Sequence, residues 1–493
     1  MREIETLDAF DAWAAEGASD VAAVQAIDLR SRTTTLCRIA PVGSLFLACP
    51  MDPLAAGQLV SQGAIVVPDM PGCFSVHRAR LYAPEELFDV FDPDVDGSFA
   101  ASFDSRVYAE YVAAGRDRPA SMAVSFARSL HDHSITAALD ELLEGRRVVA
   151  IMGGHGLERR DPKYRAVVRI AKRLAERAYL LVSGGGPGAM EATHLGAWLA
   201  GRPDEDVDRA LSSGFTDRPA GAPDGKEYAD PCWLARAWRL RRDFPRVRTE
   251  VISIGIPTWL YGHEPPTPLA THIAKYFANA IREEGLLAIA RHGVVFAPGS
   301  AGTTQEIFQD ACQNHYGTTG TCSPMLMFGA DYWTNVRPVW PLLDAVSRDR
   351  TFGELVHLVD TVDDVVAHIE AYEPLWYVVS DDPDVALETR LRKTLRLRGN
   401  VFFAHHRQAR TDDLTADVAA VAARAGAAGP AEHVDAAGIG SWLLEILSDD
   451  WVDPAALPSA VAQIDADRAL RIGAVVVLVR ADTVSAWSVR LDD

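Results

Sequence analysis

Three times between residues 146 and 306, an apolar run of strand length ends in glycines and leads into a helical pattern. RRVVAIM runs into Gly153-Gly154-His155, YLLVS into Gly184-Gly185-Gly186-Pro187-Gly188, and GVVFAP into Gly299-Ser300-Ala301-Gly302. After the first turn, Tyr164, Val167, Val168, Ala171, Leu174, Ala175 and Ala178 recur at the spacing of one helix face. EVISIGIP and SPMLMFG read as further buried strands. Strand, glycine turn and helix in repetition predict a doubly wound parallel sheet over residues 146–375. Residues 201–232 interrupt it with a polar stretch rich in Gly, Pro and Asp. A connection of that length predicts either disorder or a lid.

The flanks read differently. Residues 1–95 predict a β-rich N-terminal region with strands at VQAIDL, LCRIA, GSLFLAC and GAIVVP. Residues 96–145 predict a helical connector with Gly145 as its C-cap. Residues 376–493, with strands at NVFFAHH and GAVVVLVR, predict a small α+β domain. The net charge is −20, which argues against a nucleic-acid coat or an anionic-membrane binder. That charge is uneven: residues 1–145 hold 10 basic and 22 acidic side chains, residues 146–375 hold 26 and 28, and residues 376–493 hold 12 and 18. The middle therefore carries arginine-rich stretches suited to a small anion, Arg236, Arg239, Arg241, Arg242, Arg246 and Arg248 among them. No apolar run reaches the ~18 residues of a membrane span. The N-terminus lacks the basic start and apolar stretch of a signal peptide, and the cysteines form no CxxC pair. These features predict a cytoplasmic protein with no metal.

In an open α/β sheet, ligands bind beyond the carboxyl ends of the strands, where all three glycine turns fall. Glycine lets the backbone approach a ligand, and free N–H groups at the following helix attract an anion. The candidate binding residues are Gly153, Gly154, His155, Ser183, Gly184, Gly185, Gly186, Gly188, Met190, Gly299, Ser300, Gly302, Thr303 and Thr304. Gly184, Gly186 and Ala189 also fit G-x-G-x-x-[GA] with Asp204 twenty residues on. That acid falls in a polar loop rather than at a strand end, which weighs against a dinucleotide fingerprint. GSAGTT lacks the lysine of a P-loop.

GGGPGAMEA and PGSAGTTQE together resemble the LONELY GUY family of nucleoside 5′-monophosphate phosphoribohydrolases. The family motif PGGxGTxxE is matched by Pro298, Gly299, Gly302, Thr303 and Glu306, with Ser300 at the second motif glycine. The GGH turn, the GPGAM turn and Glu264-Pro265-Pro266-Thr267-Pro268 are similar to the long branch, the pyrimidine/purine nucleotide 5′-monophosphate nucleosidases. The resemblance covers about residues 146–340 and leaves both flanks without a match. It implies a Rossmann-like domain, a catalytic pair of Arg282 and Glu306, no cofactor, a nucleoside 5′-monophosphate ligand and a homo-oligomer.

The residues around this pair carry two readings each. His272, Lys275, Asn279 and Arg282 fall on one face if the segment is a helix, with Ile273, Tyr276, Phe277, Ala280 and Ile281 as its apolar side. Lys275 and Asn279 are then possible site residues, or members of a solvated stripe. Glu306 follows Thr303 by three, which is also the pattern of a capping box. Glu191 follows the GPGAM turn with no evident role, and His131-Asp132-His133 reads as structural. The expected reaction is cleavage of the N-glycosidic bond to free base and ribose 5-phosphate. The rivals are a binding or carrier protein for a nucleotide or phosphorylated cofactor, and a dinucleotide oxidoreductase.

Overall fold

The computed structural model describes residues 2–372 except 69, 71, 120, 145, 213, 219–222, 317–322 and 349–350. Beyond 372 it describes the strands 376–380, 401–405, 432–434, 474–479 and 484–489. The chain is α/β, with parallel sheets of four and seven strands. It divides into two compact units that do not follow the linear boundaries expected from the sequence. One holds residues 1–144, 158–160 and 183–283, and the other holds 145–157, 161–182 and 284–493.

The first unit opens with β1 (Arg2–Ile4), β2 (Ala22–Gln25), β3 (Leu45–Leu47) and β4 (Ile65–Val67), ordered 1-2-3-4 and parallel throughout. This corrects the β-rich expectation. Parallel neighbours need crossovers, and here these include the helices Leu7–Ala15 and Pro53–Ser61. Thr6 caps the first of them by accepting from the Ala9 N–H. Asp52 caps the second, with Pro53 at its first position, where a missing N–H costs nothing. LCRIA is not a strand, because the helix Thr33–Leu36 ends inside it. Phe10, Trp13, Val24, Phe46 and Leu59 are fully buried and form this core. The helical connector is two helices, Phe103–Ala113 and Met122–Leu143. Its expected cap, Gly145, lies outside the described residues.

The larger sheet contains β5 (Arg147–Met152), β6 (Tyr179–Ser183), β7 (Ser253–Gly255), β8 (His272–Ile273), β9 (Val294–Phe296), β10 (Met325–Phe328) and β11 (Val356–Val359), in the order 11-10-9-5-6-7-8. The order reverses between β5 and β9, both in the second unit. A topological switch point of this kind opens a crevice at the carboxyl ends of the two strands. The helix Pro162–Glu176 follows β5. It buries Tyr164, Val167, Val168, Ala171, Leu174 and Ala175 as its periodicity predicts. Ala178 is instead exposed beyond the helix end, in the left-handed conformation at φ 61°. In the same unit, Arg177 pairs with Glu370 at 2.7 Å and Arg173 pairs with Asp363.

In the C-terminal segment, the strands Trp376–Ser380, Val401–His405, Glu432–Val434, Ala474–Val479 and Val484–Val489 form one mixed sheet. Among the described residues, no helix is long and apolar enough to cross a membrane.

Candidate functional site

Each unit carries part of the constellation expected from the sequence. In the second unit the turns after β5 and β9 touch. The Gly154 N–H donates to the Pro298 carbonyl at 3.1 Å. A Cβ on Gly154 would stand 3.1 Å from the Gly299 Cα, and a Cβ on Gly299 would collide with Thr303. These two glycines are therefore required by backbone packing before any ligand is considered. Gly302 has open space around it, and Ser300 is exposed at an ordinary backbone angle. A serine at the second motif glycine is thus accommodated without strain. The Tyr332 hydroxyl donates to the Gly299 carbonyl at 2.6 Å. The Trp333 indole donates to the carbonyls of Phe296 and Phe328 at 3.1 and 3.2 Å. These two aromatics brace the turn after β9. They sit in a π-helical stretch, Tyr332–Val336, that no sequence period announces.

The helix Ala301–Tyr316 begins at this turn. Thr303 and Glu306 are therefore both inside it, and the capping-box reading of that pair does not hold. Thr303 is buried against Gly299, while Thr304 and Glu306 are half-buried. The first-turn N–H groups of the helix face its N-terminus, where an anion is favoured. One turn beyond Glu306, Asp310 is 2% exposed and its Oδ2 has no hydrogen-bond partner. Burial holds its carboxyl well above the usual carboxylate range. A carboxyl whose folded pKa is raised stabilises the fold most at low pH, and that contribution is lost as pH rises. Asp310→Asn is expected to melt close to wild type near pH 4 and above it at pH 8. A melting-temperature series from pH 4 to 8 checks this, and a gap that shrinks with rising pH would contradict it.

In the first unit, the turn Gly184–Gly188 is buried, with Gly185 at φ 71° and Gly188 at φ 70°. Gly185 packs against the backbone of Gly255 and Ile256 at distances that leave no room for a side chain. Arg282 is 9% exposed, and its Nε donates to the Ile256 carbonyl at 2.8 Å. A Cβ on Gly184 would stand 2.5 Å from the Arg282 Nη2 and 2.7 Å from the Met190 Sδ. The structure thus sets Arg282 and Met190 directly against the glycine turn.

Other candidates have different work. Ser183 is fully buried, and its hydroxyl lies 2.8 Å from the His194 Nε2 and accepts from the Gly185 N–H at 3.1 Å. It shapes the turn from inside. His194 is fully buried, which lowers its pKa to about 3 and keeps it neutral. Residues 272–282 do not form the single helix expected. His272 is in β8, and the helix Asn279–Ile289 starts seven residues later. Lys275 is 1% exposed, pairs with Asp104 and lies over the Trp259 ring, so it is a core residue. Asn279 is half-buried at the helix start, and Ile281 is 49% exposed rather than apolar core. Glu191 is fully buried in a two-pronged pair with Arg159, at 2.6 and 2.8 Å. His155 is exposed after its turn.

Within the arginine-rich stretch two side chains reach the acidic N-terminal region, and others pair locally, as Arg248 does with Glu250 at 2.7 Å. Arg239 pairs with Asp94 at 2.9 Å, Arg241 pairs with Glu85, and Arg246 donates to the Thr249 carbonyl at 2.6 Å. Residues 201–232 include the helix Asp204–Ala210 and a turn at Glu227–Ala229. Glu227 accepts from the Arg159 N–H at 2.8 Å. His131 lies 2.8 Å from the Tyr82 hydroxyl and 3.1 Å from Asp132, in a structural network. Among the described residues, no group of three or more His, Cys, Asp or Glu could hold a metal.

No protein-family model matches this chain, and no curated protein matches it. Among solved structures, it is similar to the molybdenum cofactor binding protein from the phototrophic bacterium Rippkaea orientalis, with 12% identity and a TM-score of 0.28 over 46% of this chain and 96% of that one. It is also similar to the molybdenum cofactor carrier protein of Chlamydomonas reinhardtii, with 13% identity, the same coverage and a TM-score of 0.28.

Proposed function

We propose that this chain is a nucleoside 5′-monophosphate phosphoribohydrolase. The observation that carries the reading is Arg282, a buried guanidinium held by the Ile256 carbonyl and aimed at a glycine turn. A fixed, planar cation beside a glycine turn suits a phosphate, which takes charge-assisted bonds from the guanidinium. The family resemblance names Glu306, in the second unit, for the carboxylate that N-glycosidic cleavage needs. That carboxylate stabilises the positive charge that develops at C1′ and orients the attacking water. Water adds to C1′, the C–N bond breaks, the base leaves with a proton, and ribose 5-phosphate remains.

The test is a panel of AMP, GMP, CMP and UMP, with released base and ribose 5-phosphate measured by chromatography and binding by calorimetry. At least one nucleotide is expected to be cleaved. Arg282→Ala is expected to weaken its binding by about 10- to 100-fold, the worth of one or two charge-assisted hydrogen bonds. Tight binding with no product would make the protein a carrier of nucleotides. Binding unchanged in Arg282→Ala would remove the phosphate from this turn.

A further inference from the structure

The segment Glu264-Pro265-Pro266-Thr267-Pro268 lies on the glycine turn of the first unit. The Thr267 N–H donates to the Gly185 carbonyl at 2.8 Å, and the Glu264 N–H donates to the Tyr261 carbonyl at the same distance. Pro265, Pro266, Thr267 and Pro268 are buried, while the Glu264 side chain keeps 14% of its exposure. Three prolines and the Thr267 bond leave the segment little backbone freedom. Glu264 Oε2 stands 3.9 Å from where a Cβ on Gly186 would be. The Met190 Cε stands 3.0 Å from the same point, so the carboxylate and the thioether share the space before Gly186.

One group holds that carboxylate, and a second lies near it beyond hydrogen-bonding distance. The Tyr228 phenol hydrogen-bonds to it, and the His263 Nε2 lies 3.9 Å from Oε1. Burial, and then the charge of Glu264, push the Tyr228 phenol up, so it remains a donor. Tyr228 belongs to the polar insertion, and its neighbour Glu227 anchors that insertion to the Arg159 N–H. The insertion is thus fastened where it can hold Glu264 in place.

A carboxylate repels phosphate, so Glu264 is the wrong group for the anion that Arg282 attracts. Its two acceptor oxygens match paired hydroxyl donors, as on a vicinal cis-diol. We propose that Glu264, steadied by Tyr228, reads the sugar: it accepts hydrogen bonds from the ribose 2′,3′-diol of a nucleotide whose phosphate rests on Gly184–Gly188. This rests on the proposed function and deepens it. The site then selects ribonucleotides over 2′-deoxyribonucleotides and rejects a sugar bearing a second phosphate.

The experiment measures binding of AMP, GMP, CMP and UMP, their 2′-deoxy counterparts, and adenosine 3′,5′-bisphosphate by calorimetry. Wild type is expected to bind the preferred ribonucleotide at least about tenfold more tightly than its deoxy form, the worth of one hydrogen bond to a charged group. Glu264→Gln is expected to bring that ratio to within about threefold while deoxynucleotide binding holds, and to admit the bisphosphate. Tyr228→Phe leaves the carboxylate in place, so its ratio should fall between the two. It carries the test if Glu264→Gln does not fold. Equal binding of ribo and deoxy forms by wild type would overturn the proposal and leave the proposed function standing. Equal weakening of both forms in Glu264→Gln would do the same. Binding of none of the nucleotides would overturn both.

Discussion

Glu306→Gln is expected to bind a nucleoside 5′-monophosphate within about threefold of wild type and to release base about 10²- to 10⁴-fold more slowly. The substitution is nearly isosteric and keeps a good helix former in the interior of the helix Ala301–Tyr316. What it removes is the negative charge. If that charge acts on the C1′ cation or on the attacking water, its benefit exists chiefly in the transition state, and turnover falls while binding holds. Single-turnover base release and calorimetry on the same variant separate the two effects. Equal losses in binding and rate would make Glu306 a ligand-holding group. An unchanged rate would place the chemistry elsewhere.

The helix that carries Glu306 was legible because it follows a glycine turn, and glycine turns at strand ends are local events; the role given to Glu306 came from the family resemblance. Five strands of the larger sheet were readable in the same way, as apolar runs between breakers. β8 was not, because it has two residues, His272 and Ile273. A strand that short leaves no alternation to detect, and the polar residues after it happened to fall at helical spacing. Lys275 then looked like one of a helical row, whereas a tertiary pair with Asp104, far away in the chain, decides its place. In the N-terminal region the strands were visible but their direction was not, since a three-residue apolar run reads alike in parallel and antiparallel pairs. The Asp52-Pro53 cap is a local mark of the helical crossover that the β-rich expectation passed over. Tyr332 and Trp333 support the turn after β9 from beyond β10. Their role depends on which strands become neighbours, and that is settled only by the assembled sheet.

The pair Arg159–Glu191 belongs to the same class of long-range facts, and its loss is expected to cost the most stability. Glu191→Ala or Arg159→Ala should each destabilise the fold by about 3–5 kcal/mol, because either leaves a buried charge without its partner. The side chains are 1% and 0% exposed, with bonds of 2.6 and 2.8 Å between them. Arg159 also donates to the carbonyls of Phe215 and Trp233 at 3.3 and 3.1 Å and stacks over both rings. Replacing the two together, as Arg159→Met with Glu191→Leu, should cost less than the sum of the single changes, since no charge is then stranded. Urea unfolding followed by tryptophan fluorescence reads this directly, because Trp233 lies under the guanidinium. The effect should also reach ligand binding. Glu191 lies three residues beyond Gly188, and Arg159 ties it to Phe215 and Glu227 of the insertion. Freeing this anchor loosens the first turn of the helix that follows the glycines, so the single variants should bind nucleotide more weakly even at temperatures where they remain folded. Single variants that unfold at the wild-type urea midpoint would show that the pair contributes no net stability.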